Sequence, residues 1–277
     1  SPSIKGNLSL PDSIDSENRI NAKLDYFDLN KFEGVADPMV YPFLNLEIYQ
    51  AKINKYYFNN FVIRTAPASD GMVIERLSFD NNHLSMLGTG KWINSSNGQL
   101  TFFDASFSSG NFGTSLGNLG YSDVIKKGKL KSQLIGQWRG SPDIFSLDTF
   151  DGKIILDLKD GEFLQVTKQT KAIGQLLGLF SISSLQKRLT LDFSDFFSSG
   201  LSFETMNGEF IFLDSSAEVN NLVLKGTFGE MRINGSSSLK KRTHDQELIY
   251  IPDLSSMSLI SGTLLGGPIG AVASIFY

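Results

Sequence analysis

The sequence predicts a mainly all-β fold, built as an antiparallel sheet with a few short apolar helices. Apolar and polar residues alternate over most of the 277 residues, which is the pattern of strands with one buried face. Turn-forming residues separate the alternating segments, for example at 67–71, 94–98 and 214–216. Strands joined by such short turns pair antiparallel, because parallel neighbours need a long crossover connection. Alternating strand and helix units are not visible, which argues against an α/β fold.

The clearest predicted strands lie at 19–29, 75–93, 152–166, 187–193, 208–226 and 229–239, the second with a turn at 81–82, the third with a turn at 159–161 and the fifth with a turn at 214–216. In each of three segments the apolar residues share one strand face. They are Ile154, Leu156 and Leu158, then Leu189, Leu191 and Phe193, and finally Met231 and Ile233. The sheet is therefore expected to have one apolar face and one polar face. A second sheet, helices or an apolar ligand must cover the apolar face.

Helical patterns are few. Residues 115–119 and 195–199 suggest single turns, whereas 170–185 carries a helical stripe formed by Ile173, Leu176, Leu177 and Phe180. Residues 254–277 form a run of 24 residues without charge, long enough to span a bilayer. Five serines, four glycines and Pro268 dilute that run and break a helix. One or two short apolar helices, packed on the sheet or at an interface, are favoured there over a transmembrane span.

Composition limits the chemistry. With 25 basic and 29 acidic residues the net charge is −4, which argues against a nucleic-acid partner. The chain has no cysteine and two histidines, so neither a thiolate metal site nor imidazole catalysis is expected. The 22 phenylalanines are about twice the usual share.

Catalytic and ligand-binding motifs are weak. Residues 113–117 match G-x-S-x-G around Ser115, with His244 downstream, yet the buried strand and full helix of a nucleophile elbow are missing. Asp143, Asp148 and Asp151 lie where turns favour aspartate and lack the order of a calcium loop. The basic groups at 126–131 and 240–242 are expected to be solvated, with contact to anionic headgroups as the alternative. No catalytic residue, metal or cofactor is therefore predicted.

The order of several short motifs resembles a known family. They are GTGKW at 88–92, WRGSP at 138–142, LLGLFS at 176–181, RLTLDF at 188–193, THDQEL at 243–248 and GPIG at 267–270. In this order they resemble the C-terminal, periplasmic part of the AsmA-like envelope proteins of Gram-negative bacteria, of the YhdP type, which are relatives of TamB. The likeness covers nearly the whole chain and is strongest over 136–270.

The resemblance implies a long, sharply curved, taco-like sheet whose hydrophobic groove carries phospholipids between the inner and outer membranes. The eight strand residues named above become groove candidates, and the stripe at 173–180 becomes a helical cap. Three regions are expected: groove strands at 1–135, an AsmA-like region at 136–253 and a helical segment at 254–277. The chain is expected to be a periplasmic piece of a longer protein anchored in the inner membrane. It would contact membrane surfaces, and an envelope protein is a further candidate partner.

One alternative stays open at this point. The apolar face could instead be an ordinary closed core in a structural or partner-docking module that carries no lipid. An open face would need to be filled by acyl chains, whereas a closed one would be filled by side chains.

Overall fold

The computed structural model describes residues 3–9, 19–29, 37–53, 55–81, 83–118, 125–164, 201–241, 243–253 and 273–275. These residues form 14 strands, one α-helix (α1, Phe112–Asn118) and one 3-10 turn at Pro142–Ile144. The strands are β1 Ser3–Ser9, β2 Arg19–Leu29, β3 Phe43–Ile53, β4 Tyr56–Ala68, β5 Gly71–Asn81, β6 Leu84–Ser95, β7 Gly98–Ser109, β8 Ile125–Arg139, β9 Phe150–Phe163, β10 Leu201–Leu213, β11 Ser216–Gly226, β12 Gly229–Ser238, β13 Thr243–Pro252 and β14 Ala273–Ile275. The all-β prediction is confirmed.

The strands follow chain order in an open, mixed sheet. Hairpin neighbours pair antiparallel, as predicted, but β2 and β3 pair in parallel, with Arg19 opposite Phe43 and Leu29 opposite Ile53. The fully antiparallel prediction is therefore wrong at this pair. Residues 30–42 separate the two strands. A parallel pair needs a connection of about a dozen residues or more, because both strands must start at the same end of the sheet.

The chain divides into two compact units. Unit 1 comprises residues 1–110 and 131–154, and unit 2 comprises residues 111–130 and 155–277. Strands β8 and β9 contribute residues to both units. The predicted region boundaries near 135 and 253 follow motifs rather than contacts, and they stay predictions.

In unit 1, the apolar face is built by cross-strand rows. One row runs Met72–Trp92–Thr101 across β5, β6 and β7, and the next places Ile74 opposite Gly90. Two buried clusters stabilise this face. One contains Ala22, Leu24, Ile48 and Ala51, and the other contains Phe43, Met72 and Trp92. The alternation seen in the sequence therefore places a buried core on one side of the strands.

Two predictions of secondary structure need correction, one of a turn and one of a helical segment. The expected turn at 159–161 is absent, and β9 continues to Phe163 because Asp160 adopts a positive φ of 56° inside the strand. This local distortion accommodates the Lys-Asp-Gly sequence without reversing the chain. In the predicted helical segment at 254–277, Ala273–Ile275 forms strand β14 against β13.

Several predicted features fall outside the described residues. They include the stripe Ile173, Leu176, Leu177 and Phe180, the strand carrying Leu189, Leu191 and Phe193, and residues 254–272. Of the predicted turn at 115–119, residues 115–118 belong to α1 and residue 119 lies outside the described residues. Among the described residues, none of the helical structure has the length and apolarity needed to traverse a bilayer.

Candidate functional site

The apolar face of unit 2 is continuous across four strands. One row contains Met206, Leu224, Met231 and Tyr250, each opposite the next on β10 to β13. A second row contains Leu222, Ile233 and Leu248. The candidates Met231 and Ile233 lie within these rows, and their side chains are 4% and 5% exposed. The prediction that they share one face holds in the structure, but both are covered.

On β9, the candidates differ in burial. Leu158 is fully buried in unit 2, where its Cδ1 lies 3.2 Å from the position a Cβ on Gly128 would take. Leu156 in unit 2 and Ile154 in unit 1 are half-buried. Ile155, on the opposite strand face, is 37% exposed. Of the described groove candidates, Ile154 and Leu156 therefore have the most surface left for a ligand.

Aromatic residues of β10 extend the apolar face of unit 2 beyond what the sequence analysis identified. Phe203, Phe210 and Phe212 are all buried there. The Phe203 ring lies 5.1 Å from that of Phe163, and it occupies the space above Gly161, where a Cβ would lie 2.4 Å from the Phe203 Cζ. Leu201 and Phe203 are buried at odd positions, whereas Met206, Phe210 and Phe212 are buried at even ones, so alternation continued back from residue 208 would have placed Phe203 on the other face.

The tryptophan motif of unit 1 proves to be structural. The Trp138 indole nitrogen donates a hydrogen bond of 3.0 Å to the Ser141 carbonyl, and its ring packs edge-on against Phe145 at 5.1 Å. The Thr101 hydroxyl donates to the Gly140 carbonyl at 2.7 Å. WRGSP therefore ends β8 and holds the following turn against β7.

An open cleft of about 940 Å³ lies in unit 1, on the side of the sheet opposite the apolar face. We call this side the polar face. Register places Val73, Lys91 and Phe102 in one row of this face, and Thr89 opposite Asp104 in the next. The lining combines apolar side chains with charges, namely Val73, Ile93, Phe102 and Ile135 with Asp70, Glu75, Lys91, Asp104 and Asp151. Sequence analysis did not predict this cleft. Its residues alternate with buried residues along each strand, and such a pattern indicates a solvent-exposed face.

The polar motifs singled out in the sequence serve local structure where they are described. Ser115 in α1 is 2% exposed, and its hydroxyl donates at 3.2 Å to the carbonyl of Asn111, the residue just before the helix. Asp143 accepts a hydrogen bond from the Ser141 hydroxyl at 2.5 Å. Lys129 pairs with Asp160 at 2.9 Å on an exposed surface. No cluster of three metal-ligating side chains occurs in the described part of the chain.

The shifted pKa values belong to structural groups. The Arg232 hydrogen bond, assisted by Lys225, lowers the pKa of Glu230. Burial raises the pKa of Tyr250, whose hydroxyl donates to the Phe228 carbonyl at 2.6 Å. Burial also raises the pKa of Tyr41, and the Asp143 carboxylate adds to that shift. None of these three groups lines the polar-face cleft.

Comparison with known proteins gives a family and one curated relative. The family model described as "YhdP protein" matches residues 1–276. The sequence is also 21% identical over 206 residues to the Escherichia coli (strain K12) protein named "Intermembrane phospholipid transporter YhdP". That alignment covers 74% of this chain and 16% of the relative, so the chain spans a small part of the relative's length. No solved structure matches.

Proposed function

The chain belongs to the YhdP protein family, and we propose that it binds phospholipid acyl chains along the apolar face of its sheet. In this proposal it is a lipid-conducting segment of a longer protein that moves phospholipids between the inner and outer membranes. The curated relative is named as a phospholipid transporter, and this supports phospholipid as the ligand of the chain. We place the chain in the periplasm as part of the same proposal. The parent protein would be anchored in the inner membrane, and an envelope protein would be a partner.

The observation that carries the proposal is the registered apolar face of unit 2. Four neighbouring strands contribute apolar side chains in adjoining rows, the first running from Met206 on β10 to Tyr250 on β13 and the second from Leu222 on β11 to Leu248 on β13. Such a surface offers acyl chains no unpaired polar atom to desolvate. Transfer of each methylene from water is worth about 0.8 kcal/mol, so binding needs apolar area and no catalytic group.

Burial indicates which residues meet the lipid first. The half-buried Leu156 and Ile154 are available without rearrangement, whereas Leu158, Met231 and Ile233 are covered. Lipid contact at the covered residues requires side chains to move apart. Leu189, Leu191 and Phe193 as further groove residues, and Ile173, Leu176, Leu177 and Phe180 as a cap, remain part of the proposal.

Lipid extraction from the purified chain, followed by mass spectrometry, tests this function. We expect phospholipid to co-purify, and Leu156→Asp to remove most of it, because a carboxylate on the apolar face must be desolvated by the bound chain. Ile155→Asp is the matched control, since it places the same charge one residue away on the exposed strand face. The control should retain its lipid.

Folding must be checked in the same samples. Circular dichroism should show unchanged strand content in both variants, and Leu156→Ser gives a milder substitution if Leu156→Asp fails to fold. Folded wild-type chain without phospholipid would contradict the proposal. Equal loss of lipid from both aspartate variants would also count against binding at the apolar face.

A structural or partner-docking module is the second candidate. It is favoured by the complete burial of Leu158 and the near-complete burial of Phe212, since side chains already fill the space around them. A chain of this kind would fold without lipid and would lose stability, but no ligand, when Leu156 is replaced.

A further inference from the structure

We propose that the polar-face cleft of unit 1 binds a zwitterionic, amine-bearing phospholipid headgroup together with the first part of its acyl chain. The inference rests on the proposed function, because it takes phospholipid as the ligand class. It assigns a second site, on the side of the strands opposite the apolar face, and a headgroup preference.

The cleft has the size and the surface of a ligand site. Its volume of about 940 Å³ lies in the range of roughly 300–1,000 Å³ that small-molecule sites occupy. Phe102 is 37% exposed there, beside Lys91 in the register. This large aromatic side chain, together with Val73, Ile93 and Ile135, gives an acyl chain apolar area to cover.

The charges around this apolar floor are unequal in number. Asp70, Glu75, Asp104 and Asp151 contribute four carboxylates, and Lys91 contributes one ammonium, for a sum of −3 (1 − 4). Part of this charge is held by neighbours, since Glu75 lies 3.6 Å from Arg19 and Asp104 accepts a 3.0 Å hydrogen bond from Gln133. Both residues are nevertheless exposed, and the cleft is expected to favour a ligand that brings a positive charge.

The arrangement of Lys91 and Asp104 matches a zwitterion. Lys91 lies opposite Phe102, and Asp104 lies two residues further along the same strand face. Diagonal neighbours of this kind are about 7–8 Å apart at Cα, within reach of one headgroup. Lys91 would donate to the phosphate oxygens, and a primary ammonium, with its three N–H donors, would reach Asp104 and Glu75.

An anionic headgroup without an amine fits less well. Its phosphate can still reach Lys91, but its neutral glycerol has no positive charge to pair with the carboxylates, and the lipid brings a net negative charge into an acidic cleft. Surface pairs of this kind are modest, so we expect binding about three- to tenfold tighter for the zwitterion. The preference should shrink as salt screens the charges.

The test is a titration of the isotope-labelled chain followed by NMR. The probes are water-soluble short-chain phosphatidylethanolamine and short-chain phosphatidylglycerol, each below its micelle concentration. We expect saturable shifts at the backbone amides of β5, β6 and β7, with the three- to tenfold difference between the lipids. Asp104→Asn should reduce that difference about threefold, and Lys91→Gln should weaken both lipids.

Glu218→Gln on β11 is the matched control, because it removes an exposed carboxylate from unit 2. It should leave both titrations unchanged. Unperturbed amides outside β5–β7 verify that each variant is folded. Equal affinity for the two lipids, unchanged discrimination in Asp104→Asn, or shifts confined to the strands of unit 2 would overturn the inference. An equal response to a short oligolysine peptide would also overturn it, by identifying a general cation site.

The two proposals fail in different ways. If the purified chain carries no phospholipid at all, the proposed function fails. If it carries phospholipid that Leu156→Asp removes, while the short-chain lipids do not discriminate at β5–β7, only the cleft assignment fails.

Discussion

At the scale of single residues, close approach of strands explains a glycine whose role the sequence conceals. A Cβ on Gly136 would lie 2.4 Å from the Asp151 carbonyl oxygen and 2.5 Å from Cε2 of Phe150. The sequence shows only a glycine before a tryptophan, and it does not show which strand lies beside it. Gly136 is therefore a packing requirement of unit 1, set by the fully buried Phe150 ring.

Gly136→Ala should lower the free energy of unfolding by about 1–3 kcal/mol, because the added methyl forces the backbone or the ring to move. Denaturation by urea measures this change. Gly117→Ala provides a contrast, since nothing lies within 4 Å of its Cβ position in α1. That variant should gain about 0.5–1 kcal/mol, as alanine favours a helix over glycine. Equal behaviour of the two variants would refute the packing role.

Glu230 carries a pH dependence at the same scale. Its folded pKa is lowered by Arg232 and Lys225, so its contribution to stability is present above the unfolded pKa. The contribution is lost as the pH falls through the folded pKa. Glu230→Gln should therefore be less stable than wild type at neutral pH, and the difference should shrink at acidic pH, below the ordinary range of a glutamate.

Urea midpoints at the two pH values check this sign. High salt should reduce the difference at neutral pH, because the three side chains are on the surface. A difference of the same size at both pH values would show that the glutamine disturbs packing instead.

At the scale of elements, alternation located strands well where local sequence and tertiary structure agree. The segment 19–29 coincides with β2, and the hairpin at 208–226 reappears as β10 and β11. The errors arise where long-range contacts decide. Nothing local distinguishes the parallel pairing of β2 with β3, and the turn signal around Asp160 is absorbed inside β9.

The turn after β8 depends on one buried hydroxyl. Thr101 is fully buried in β7, and its hydroxyl donates at 2.7 Å to the carbonyl of Gly140, whose amide in turn donates to the Gln99 carbonyl at 2.8 Å. Thr101→Val keeps the shape and removes the donor. The variant should lose about 1–3 kcal/mol of stability, because the Gly140 carbonyl loses a partner.

Thr243→Val at the exposed start of β13 is the control and should change stability by less than about 0.5 kcal/mol. Thermal unfolding of both variants, with hydrogen exchange at the Gly140 amide, separates a local effect from a global one. If Thr101→Val leaves both the hydrogen exchange of the Gly140 amide and the stability of the protein unchanged, the role assigned to Thr101 is wrong.

At the scale of the whole molecule, the sequence predicts which residues lie on the apolar face. It does not predict how far other side chains bury them. Met231 and Ile233 were placed on one face from alternation alone, and the register joins them to Leu224, Leu222 and Tyr250. Alternation cannot say how far side chains close over one another, since that depends on the neighbouring strands. The polar-face cleft was not predicted for a related reason. Charged residues that alternate with apolar ones indicate a solvent-exposed face, and the sequence does not show that this face is concave.

Photo-crosslinking on β10 tests the central claim most directly. A benzophenone side chain introduced at Phe210, on the buried apolar face, is compared with the same group at Ile211, which is 36% exposed on the other face. If the apolar face carries acyl chains, irradiation in cells should attach phospholipid at position 210 and little at position 211. Folded protein that forms phospholipid adducts equally at both positions, or only at 211, would contradict binding on the apolar face.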